Sequence, residues 1–301
     1  MSNSLNRPSG KTRVSDSPIP WILPMYLLLA VALVFPVAEI IRLSFTNASI
    51  TTGAYKYTLD SYRHMLNDRL FMQSIFTTLR FVFFSVVFQV SLGFIIAYSV
   101  VLGEERNMKS SVAVRAVSLF SLMIPGAIIG VIWRMIFNES PTGLLTYLFR
   151  VLGIGRVPFL SDGSIAFVCV VIANVWRGTA LCTILIYSGL KTIPQDIVEA
   201  ARIDGASGFK VMLNVILPSI RQILMINILL STIGTFNSFD MIMSLTRGGP
   251  GSATDVMALN IYNQVFRMYD LGKGAAGGVI LLLINVMIAL IYYHYMNRGE
   301  R

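Results

Sequence analysis

Long apolar runs alternate with short polar segments along the whole chain. Six runs of 21 to 27 residues carry few charged positions, and they cover 21–41, 75–101, 113–137, 164–190, 220–245 and 275–296. A helix needs about 20 mostly apolar residues to cross a bilayer. We therefore expect an all-α integral membrane protein with six transmembrane helices. The connecting segments are 42–74, 102–112, 138–163, 191–219 and 246–274.

The composition supports a membrane protein. Only 13% of the residues are charged and 55% are hydrophobic, whereas a soluble domain carries about 25% charged residues. The net charge of +9 comes from basic residues scattered through short loops. Nucleic-acid binding requires a clustered basic face, so the expected surroundings are membrane lipid and no nucleic acid.

The distribution of Lys and Arg predicts the orientation. An even number of spans places both termini on one side of the membrane. If that side is cytoplasmic, the inner segments hold 12 basic residues in 71 positions; they are 1–20, 102–115, 191–222 and 297–301. The outer segments hold 9 basic residues in 83 positions; they are 42–70, 138–163 and 246–273. Basic residues favour cytoplasmic loops. We therefore expect a domain over 21–296, cytoplasmic tails at 1–20 and 297–301, and a cytoplasmic segment at 191–219.

Several kinds of site are missing from the sequence. The two cysteines, Cys169 and Cys182, stand thirteen residues apart in one apolar run, which is about 20 Å along a helix and too far for a disulfide between them. Neither histidine adjoins a cysteine or an acidic cluster, so no metal site is expected. No G-x-x-x-x-G-K-[ST] phosphate loop occurs, so we expect no nucleotide or other cofactor on this chain. Clustered catalytic residues are also missing, which argues against an enzyme.

Charges inside the runs differ in depth. Glu39, Arg80 and Arg134 lie near the ends of their runs, where side chains can reach the interface. Arg177 stands near the middle of the fourth run, between Trp176 and Gly178. A charge at that depth faces a helix-bundle interior or a wet cavity.

Polar residues also follow one face of the fifth run. Ser231, Thr235 and Ser238 are spaced at i, i+4 and i+7, which places them on one side of a helix. Such a stripe either bonds to neighbouring helices or lines a solute path. If 220–245 is one helix, Asp240 and Arg177 differ in depth by about 12 Å, and no direct ion pair is expected.

The connecting segments predict further elements. Apolar residues recur at helical spacing over 142–153 and again over 261–269, which indicates two short amphipathic helices at the interface. These helices either cover the ends of the spans or help to dock an external partner. Residues 248–251, Gly-Gly-Pro-Gly, predict a turn. Two glycine pairs have the spacing of closely packed helices: Gly126 with Gly130, and Gly274 with Gly278.

The segment 191–218 predicts two short helices. Pro194 suits a first turn, and Gly205 can end the first helix with a positive φ. Ser207 can cap the second helix. We expect that second helix to carry one apolar side, formed by Phe209, Met212, Leu213 and Ile216.

The spacing in this segment resembles a known signature. Glu199-Ala200-Ala201, Gly205-Ala206 and Ile216-Leu217-Pro218 resemble the EAA coupling motif of ABC importer permeases, placed here between spans 4 and 5. The flanking sequences resemble the carbohydrate-type, MalF/UgpA-like branch; they are Asn174-Val175-Trp176-Arg177, Ile193-Pro194, and Phe236-Asn237-Ser238-Phe239-Asp240 through Gly251. Gln222 replaces a frequent proline and Met212 a frequent phenylalanine, so only local geometry departs from the pattern.

The resemblance implies roles for individual residues. It implies an ATPase-docking set of Glu199, Ala200, Ala201, Asp204, Gly205, Leu217 and Pro218. It implies a substrate path at Arg177, Gly178, Leu181, Ser231, Gly234, Thr235 and Ser238. A sugar would suit this path because its hydroxyls need hydrogen-bond partners and an arginine offers five donors. Arg177 alone does not decide whether the solute is charged.

The resemblance also implies partners. These are a second, MalG-like permease subunit, two ATPase subunits that bind ATP and Mg, and an extracytoplasmic solute-binding protein, all at the bacterial inner (plasma) membrane. The alternative is a secondary transporter or channel subunit, which would show internal repeats and membrane-buried acidic residues. No clear repeat is present, and Asp240 is the only acidic residue even moderately deep.

Overall fold

The computed structural model describes residues 19–53, 55–108 and 110–298. Within these ranges the chain is helical, and its only β pairing is two isolated antiparallel bridges, Thr46 with Tyr57 and Ser49 with Asp270. The predicted tails 1–20 and 297–301 lie almost wholly outside the described residues. The all-α fold is confirmed.

The helices follow one another closely along the chain. In order they are α1 Ile19–Ser44, α2 Asp60–Asn67, α3 Arg69–Glu105, α4 Ser110–Phe120, α5 Gly126–Ile136, α6 Leu144–Val151, α7 Gly163–Lys191, α8 Gln195–Ile203, α9 Gly208–Val211, α10 Leu217–Ser219, α11 Arg221–Phe236, α12 Asp240–Leu245, α13 Met257–Phe266 and α14 Leu271–Arg298. A 3-10 turn, Ser121–Met123, follows α4, and a π-helical turn, Met212–Ile216, joins α9 to α10.

Four of the predicted spans are single helices. Among the described residues, α1, α3, α7 and α14 are each long and apolar enough to cross a membrane. The count reaches six if each of two bent pairs forms one span, with bends of 106° between Ala113–Met123 and Gly126–Ile136 and of 73° between Gly208–Ser219 and Arg221–Phe236. The expectation of a continuous helix over 113–137 is therefore wrong.

Pro125 explains the first break. Proline has no backbone N–H to donate within a helix, and its ring pushes the preceding residue into an extended conformation. Ile124 has φ −92° and ψ 124°, and α5 restarts directly after the proline.

The predicted span 220–245 is likewise not one helix. Helix α11 ends at Phe236, and the short α12 begins only at Asp240. Asn237 leaves the helix with φ −92° and ψ 8°, and its side-chain amide donates to the carbonyl of Ile233 at 2.8 Å. Asparagine competes for backbone hydrogen bonds in this way, which favours helix ends.

Helices α3 and α7 run parallel and form the centre of the bundle. Contacts between them advance in step, from Gln89 with Asn174 to Glu104 with Lys191. The bundle has two ends. We call the end where α3 and α7 terminate beside α8 the α8 side, and the end that carries α6 the α6 side.

Two of the apolar core clusters among the described residues lie toward opposite sides. On the α6 side, α5, α7 and α12 bury a cluster that includes Ile129, Ala173 and Met241. On the α8 side, α3, α7 and the π turn bury a second cluster that includes Ala97 and Ile186.

The predicted elements of the connecting segments are present. Helix α6 falls within 142–153, and α13 covers most of 261–269. Residues 247–251 form a tight turn, with positive φ at Arg247, Gly248 and Gly251. These predictions are confirmed.

Candidate functional site

Helix α8 lies at the edge of the bundle, where Val198 and Ala201 pack partly against the core of the α8 side. None of its residues is buried, and Glu199 and Ala200 are exposed. The helix ends at Gly205, whose φ of +79° is open to glycine and strained for other residues. The N–H groups of Gly205 and Ala206 donate to the carbonyls of Arg202 and Ala201, both at 3.1 Å. The predicted glycine end of this helix is confirmed.

The next turn begins at the predicted cap. The Ser207 hydroxyl accepts from the N–H of Lys210 at 3.5 Å. The π turn then changes the helical phase, so the expected single apolar side divides: Ile216 is buried in the core while Phe209 and Leu213 remain exposed. With Ile203, which is 86% exposed, they leave apolar surface uncovered on the α8 side. Exposed apolar patches of this kind mark interaction surfaces.

The other predicted docking residues lie around this surface. Asp204 is exposed beside Gly205, and Ala201 is half-buried. Leu217 is half-buried and Pro218 exposed, just before the bend into α11.

A charge network joins this region to the bundle. The Glu104 carboxylate accepts from the Lys191 ammonium at 2.7 Å and from the Tyr187 hydroxyl at 2.9 Å. Arg115 of α4 approaches the same carboxylate at 3.4 Å, and Glu105 lies 3.9 Å from Arg202 of α8. Sequence reasoning missed this network, although adjacent acidic residues at the end of a span were a signal for it.

The Arg177 guanidinium and the Asp240 carboxylate form an ion pair between α7 and α12. Arg177 Nη1 lies 3.2 Å from Asp240 Oδ1. The expectation that depth separates these residues is wrong, because it assumed one straight helix over 220–245. Ending α11 at Phe236 lets α12 fold back against the bundle and brings Asp240 level with Arg177.

Two glycines of α5 make room for α12. A Cβ on Gly126 would overlap the Asp240 carboxylate, and a Cβ on Gly130 would overlap the carbonyl of Met241. The close packing predicted for this pair is confirmed. For the second pair, Gly274 presses on Val265, whereas a Cβ on Gly278 would meet Ile40 at an ordinary 3.8 Å.

The polar stripe of α11 packs against α7. Thr235 lies 3.4 Å from the Asn174 amide nitrogen, and Ser231 lies 3.3 Å from both Cys182 and Asn227. Ser231 and Thr235 are buried, and both bond to side chains of α7. Ser238 falls after the end of α11, so it does not continue the helical face; it is buried, with no hydrogen-bond partner for its hydroxyl among the described residues.

The remaining predicted path residues are more accessible. Gly234 is exposed, and Arg177, Gly178 and Leu181 are half-buried. Gly178 also faces Gln89, whose side chain a Cβ at this position would overlap. Gln89 is 2% exposed and donates to the carbonyl of Asn174 at 3.0 Å. Sequence reasoning missed Gln89, although a lone amide within an apolar run was visible.

A cavity of about 940 Å³ lies beside this centre, between α3, α4, α5 and α7. Its walls are mainly apolar and include Phe84, Phe88 and Val168. At one end, the Arg80 guanidinium lies 4.7 Å from the centre of the Phe167 ring. Such walls offer few partners for hydroxyl groups. Arg177 and Asp240 are not among its lining residues but Trp176 is, so the polar centre borders this cavity.

Comparison with known proteins gives consistent matches. Residues 89–299 match the family model described as the binding-protein-dependent transport system inner membrane component. The chain is 33% identical over 281 residues to the trehalose/maltose transport system permease protein MalF of Thermococcus litoralis, covering 93% of this chain and 92% of that protein. It is 25% identical to the sn-glycerol-3-phosphate transport system permease protein UgpA of Pectobacterium atrosepticum, covering 95% and 96%.

The fold is also found in solved structures. A crystal structure of a bacterial ABC transporter involved in the import of the acidic polysaccharide alginate matches with a TM-score of 0.81 at 18% identity, over 93% of this chain and 94% of that chain. The prediction of an importer permease holds over that of a secondary transporter or channel. The chain belongs to the binding-protein-dependent transport system inner membrane components, and it is a transmembrane permease subunit of an ABC importer.

Proposed function

We propose that this permease carries a sugar or sugar-derived solute across the bacterial inner membrane by alternating access. It works with a second permease subunit, two ATPase subunits and an extracytoplasmic solute-binding protein. ATP and Mg are bound by the ATPase subunits, and this chain holds no cofactor of its own. The observation that carries the proposal is the exposed helix α8 with its glycine end at Gly205.

The α8 side is the proposed ATPase-docking side. Ile203, Phe209 and Leu213 leave apolar surface uncovered there, and the small side chains of Ala200 and Ala201 permit close approach. Leu217 and Pro218 border this surface. This side is the cytoplasmic one in our proposal, and both termini share it, in keeping with the excess of basic residues in its segments.

The charge network supports a mechanical coupling. Glu104 connects α3 to α7 through Lys191, and Glu105 reaches Arg202 of α8. Motion imposed on α8 by the ATPase would therefore reach the two central helices together. Rigid-body movement of two permease subunits about their interface would then open the path to each side in turn.

The solute class is proposed from the relatives and from the polar centre. Relatives of this chain are named for trehalose and maltose, for sulfoquinovosyl glycerol and for sn-glycerol-3-phosphate, all of them polyhydroxy compounds. Arg177, Asp240 and the exposed Asn237 supply donors and acceptors for hydroxyls. The half-exposed ring of Trp176 adds an apolar face beside them.

Site-directed cross-linking tests the docking side. Single cysteines replace Ile203 on the α8 side and, as a matched control, Tyr147 on α6, which is 55% exposed on the opposite side. In the assembled importer we expect Ile203→Cys to cross-link to an ATPase subunit carrying an introduced cysteine and Tyr147→Cys not to do so. Equal cross-linking at both positions would contradict the proposal.

A further inference from the structure

Arg177 and Asp240 are the two charged groups at the polar centre of the described residues. Their closest atoms lie 3.2 Å apart, and their side chains are 36% and 41% exposed. Other charges are farther along the helices. Arg80 lies against Phe167 of α7, which is ten residues before Arg177. Arg134 of α5 is eight residues after Gly126, the residue that contacts Asp240. These separations are about 15 Å and 12 Å at helical rise.

The structure holds Asp240 in place rather than leaving it on a mobile surface. Asp240 is the first residue of α12, and its carboxylate rests on Gly126, the first residue of α5. Helix N-termini favour an anionic group. Arg177 stands on α7, whose backbone carbonyl at that residue accepts from the Ser121 hydroxyl at 3.5 Å. Packing on Gly126 therefore positions the Asp240 carboxylate, and the Ser121 bond fixes the backbone that carries Arg177.

We propose that Asp240 is a specificity-determining residue, because its carboxylate neutralises Arg177 and so selects an uncharged sugar over an anionic one. This inference rests on the proposed sugar-import function and narrows its solute class. Without Asp240, the half-exposed guanidinium would present an uncompensated positive charge. With it, the pair offers donors and acceptors to hydroxyls while adding no net charge.

The size of the effect follows from the Coulomb repulsion between the Asp240 carboxylate and an anion bound beside Arg177. Two unit charges about 4 Å apart change a binding constant about fivefold at the dielectric constant of water, and by more near a protein surface. Removing the carboxylate charge while keeping the shape of the side chain, as Asp240→Asn does, should therefore raise the affinity for an anion by at least about fivefold. The affinity for an uncharged polyol of similar size should be unchanged.

Equilibrium dialysis of the complete importer in lipid nanodiscs, without ATP, tests this directly. The probes are radiolabelled gluconate and sorbitol, an anionic and an uncharged six-carbon polyol. We expect Asp240→Asn to bind gluconate at least about fivefold more tightly than the unmodified complex, with sorbitol binding unaffected. The double variant Arg177→Gln/Asp240→Asn should return gluconate binding to its original level. Glu39→Gln, which removes the carboxylate beside Arg42 at the end of α1, should change neither probe.

Equal gluconate binding by the unmodified complex and Asp240→Asn would overturn the inference, and so would tight gluconate binding that persists in the double variant. If Asp240→Asn does not assemble, Arg177→Gln decides: it should disfavour gluconate relative to sorbitol, and an unchanged ratio would overturn the inference. These ratios do not depend on turnover. Failure of the proposed function would instead appear as no ATP-driven sugar uptake by the unmodified importer.

Discussion

Replacing Gly205 by residues of different size and backbone preference is an incisive test of the segment between α7 and α11. Its φ of +79° lies in the left-handed region, yet a Cβ there meets no atom within 4 Å. The strain of an L-residue in that region is roughly 1–2 kcal/mol. If the free segment relaxes and must recover this geometry on docking, Gly205→Ala should weaken ATPase binding by up to about 5- to 30-fold.

Gly205→Leu and Gly205→Asn separate strain from bulk. Leucine adds both, and we expect it to abolish uptake while membrane insertion stays intact. Asparagine tolerates the left-handed region, so it mainly adds bulk. Retained uptake in Gly205→Asn would show that Gly205 shapes the segment, and lost uptake would show that it lies within the contact.

The assays are solute uptake into proteoliposomes and the amount of ATPase that copurifies with the permease. Unimpaired uptake and copurification in Gly205→Leu would refute the docking role. The open space around the Cβ makes misfolding of this chain a poor explanation for any loss.

Three further predictions concern packing and charge. Gly126→Ala should lower the melting temperature in detergent, because its Cβ overlaps the Asp240 carboxylate; overpacking of this kind costs about 1–3 kcal/mol. Gln89→Ala should destabilise the fold by about 0.5–1.5 kcal/mol through loss of the buried hydrogen bond from Gln89 to the Asn174 carbonyl, and it should make Gly178→Ala better tolerated by removing the overlapping side chain. Glu139→Gln should lower the melting temperature at pH 7. The difference in melting temperature from the unmodified protein should shrink as the pH falls below 4.5.

The pH dependence of the Glu139 effect has a definite sign. Burial raises the pKa of this carboxyl, but donation from the Ser161 hydroxyl and from the N–H groups of Leu160 and Ser161 outweighs burial and lowers it below 4.5. A carboxyl whose pKa is lower in the folded than in the unfolded protein stabilises the fold at pH values above its unfolded-state pKa. Protonation of the carboxyl at lower pH removes that contribution. A deficit that stayed constant from pH 7 to pH 3 would contradict this reasoning.

The packing predictions have their own controls. Gly234→Ala should keep or slightly raise the melting temperature, since a Cβ there meets nothing within 4 Å and alanine favours a helix over glycine. An equal loss in Gly126→Ala and Gly234→Ala would argue against the α5–α12 contact. Additive effects of Gln89→Ala and Gly178→Ala would argue against direct coupling of that pair.

Hydropathy predicts the number of spans but not their straightness. The runs that became α1, α3, α7 and α14 were correctly read as helices, because length and apolar content suffice for that. The runs 113–137 and 220–245 are equally apolar, yet they bend or end inside. Pro125 was a visible signal for the first break, since proline removes a helix donor. The end of α11 at Asn237 had a weaker signal, because asparagine favours helix ends but a single asparagine in an apolar run does not by itself end a helix.

The same limit explains the partial prediction of the site. The glycine end at Gly205 and the cap at Ser207 are local features, so the sequence predicted them. The Arg177–Asp240 pair depends on α12 folding back onto α5, a tertiary event that residue spacing along one helix does not encode. The network at Glu104 and Glu105 likewise joins α3 and α4 to α7 and α8, two pairs of helices that are distant in sequence.

ATP-driven uptake into proteoliposomes tests the central claim most directly. The purified permease is reconstituted with its second permease, its ATPase subunits and its solute-binding protein, and radiolabelled sugar is offered with ATP and Mg²⁺ supplied on the ATPase side. The account predicts accumulation against a gradient that requires ATP and every one of these proteins. Accumulation driven by an ion gradient without ATP, or by this chain alone, would contradict it.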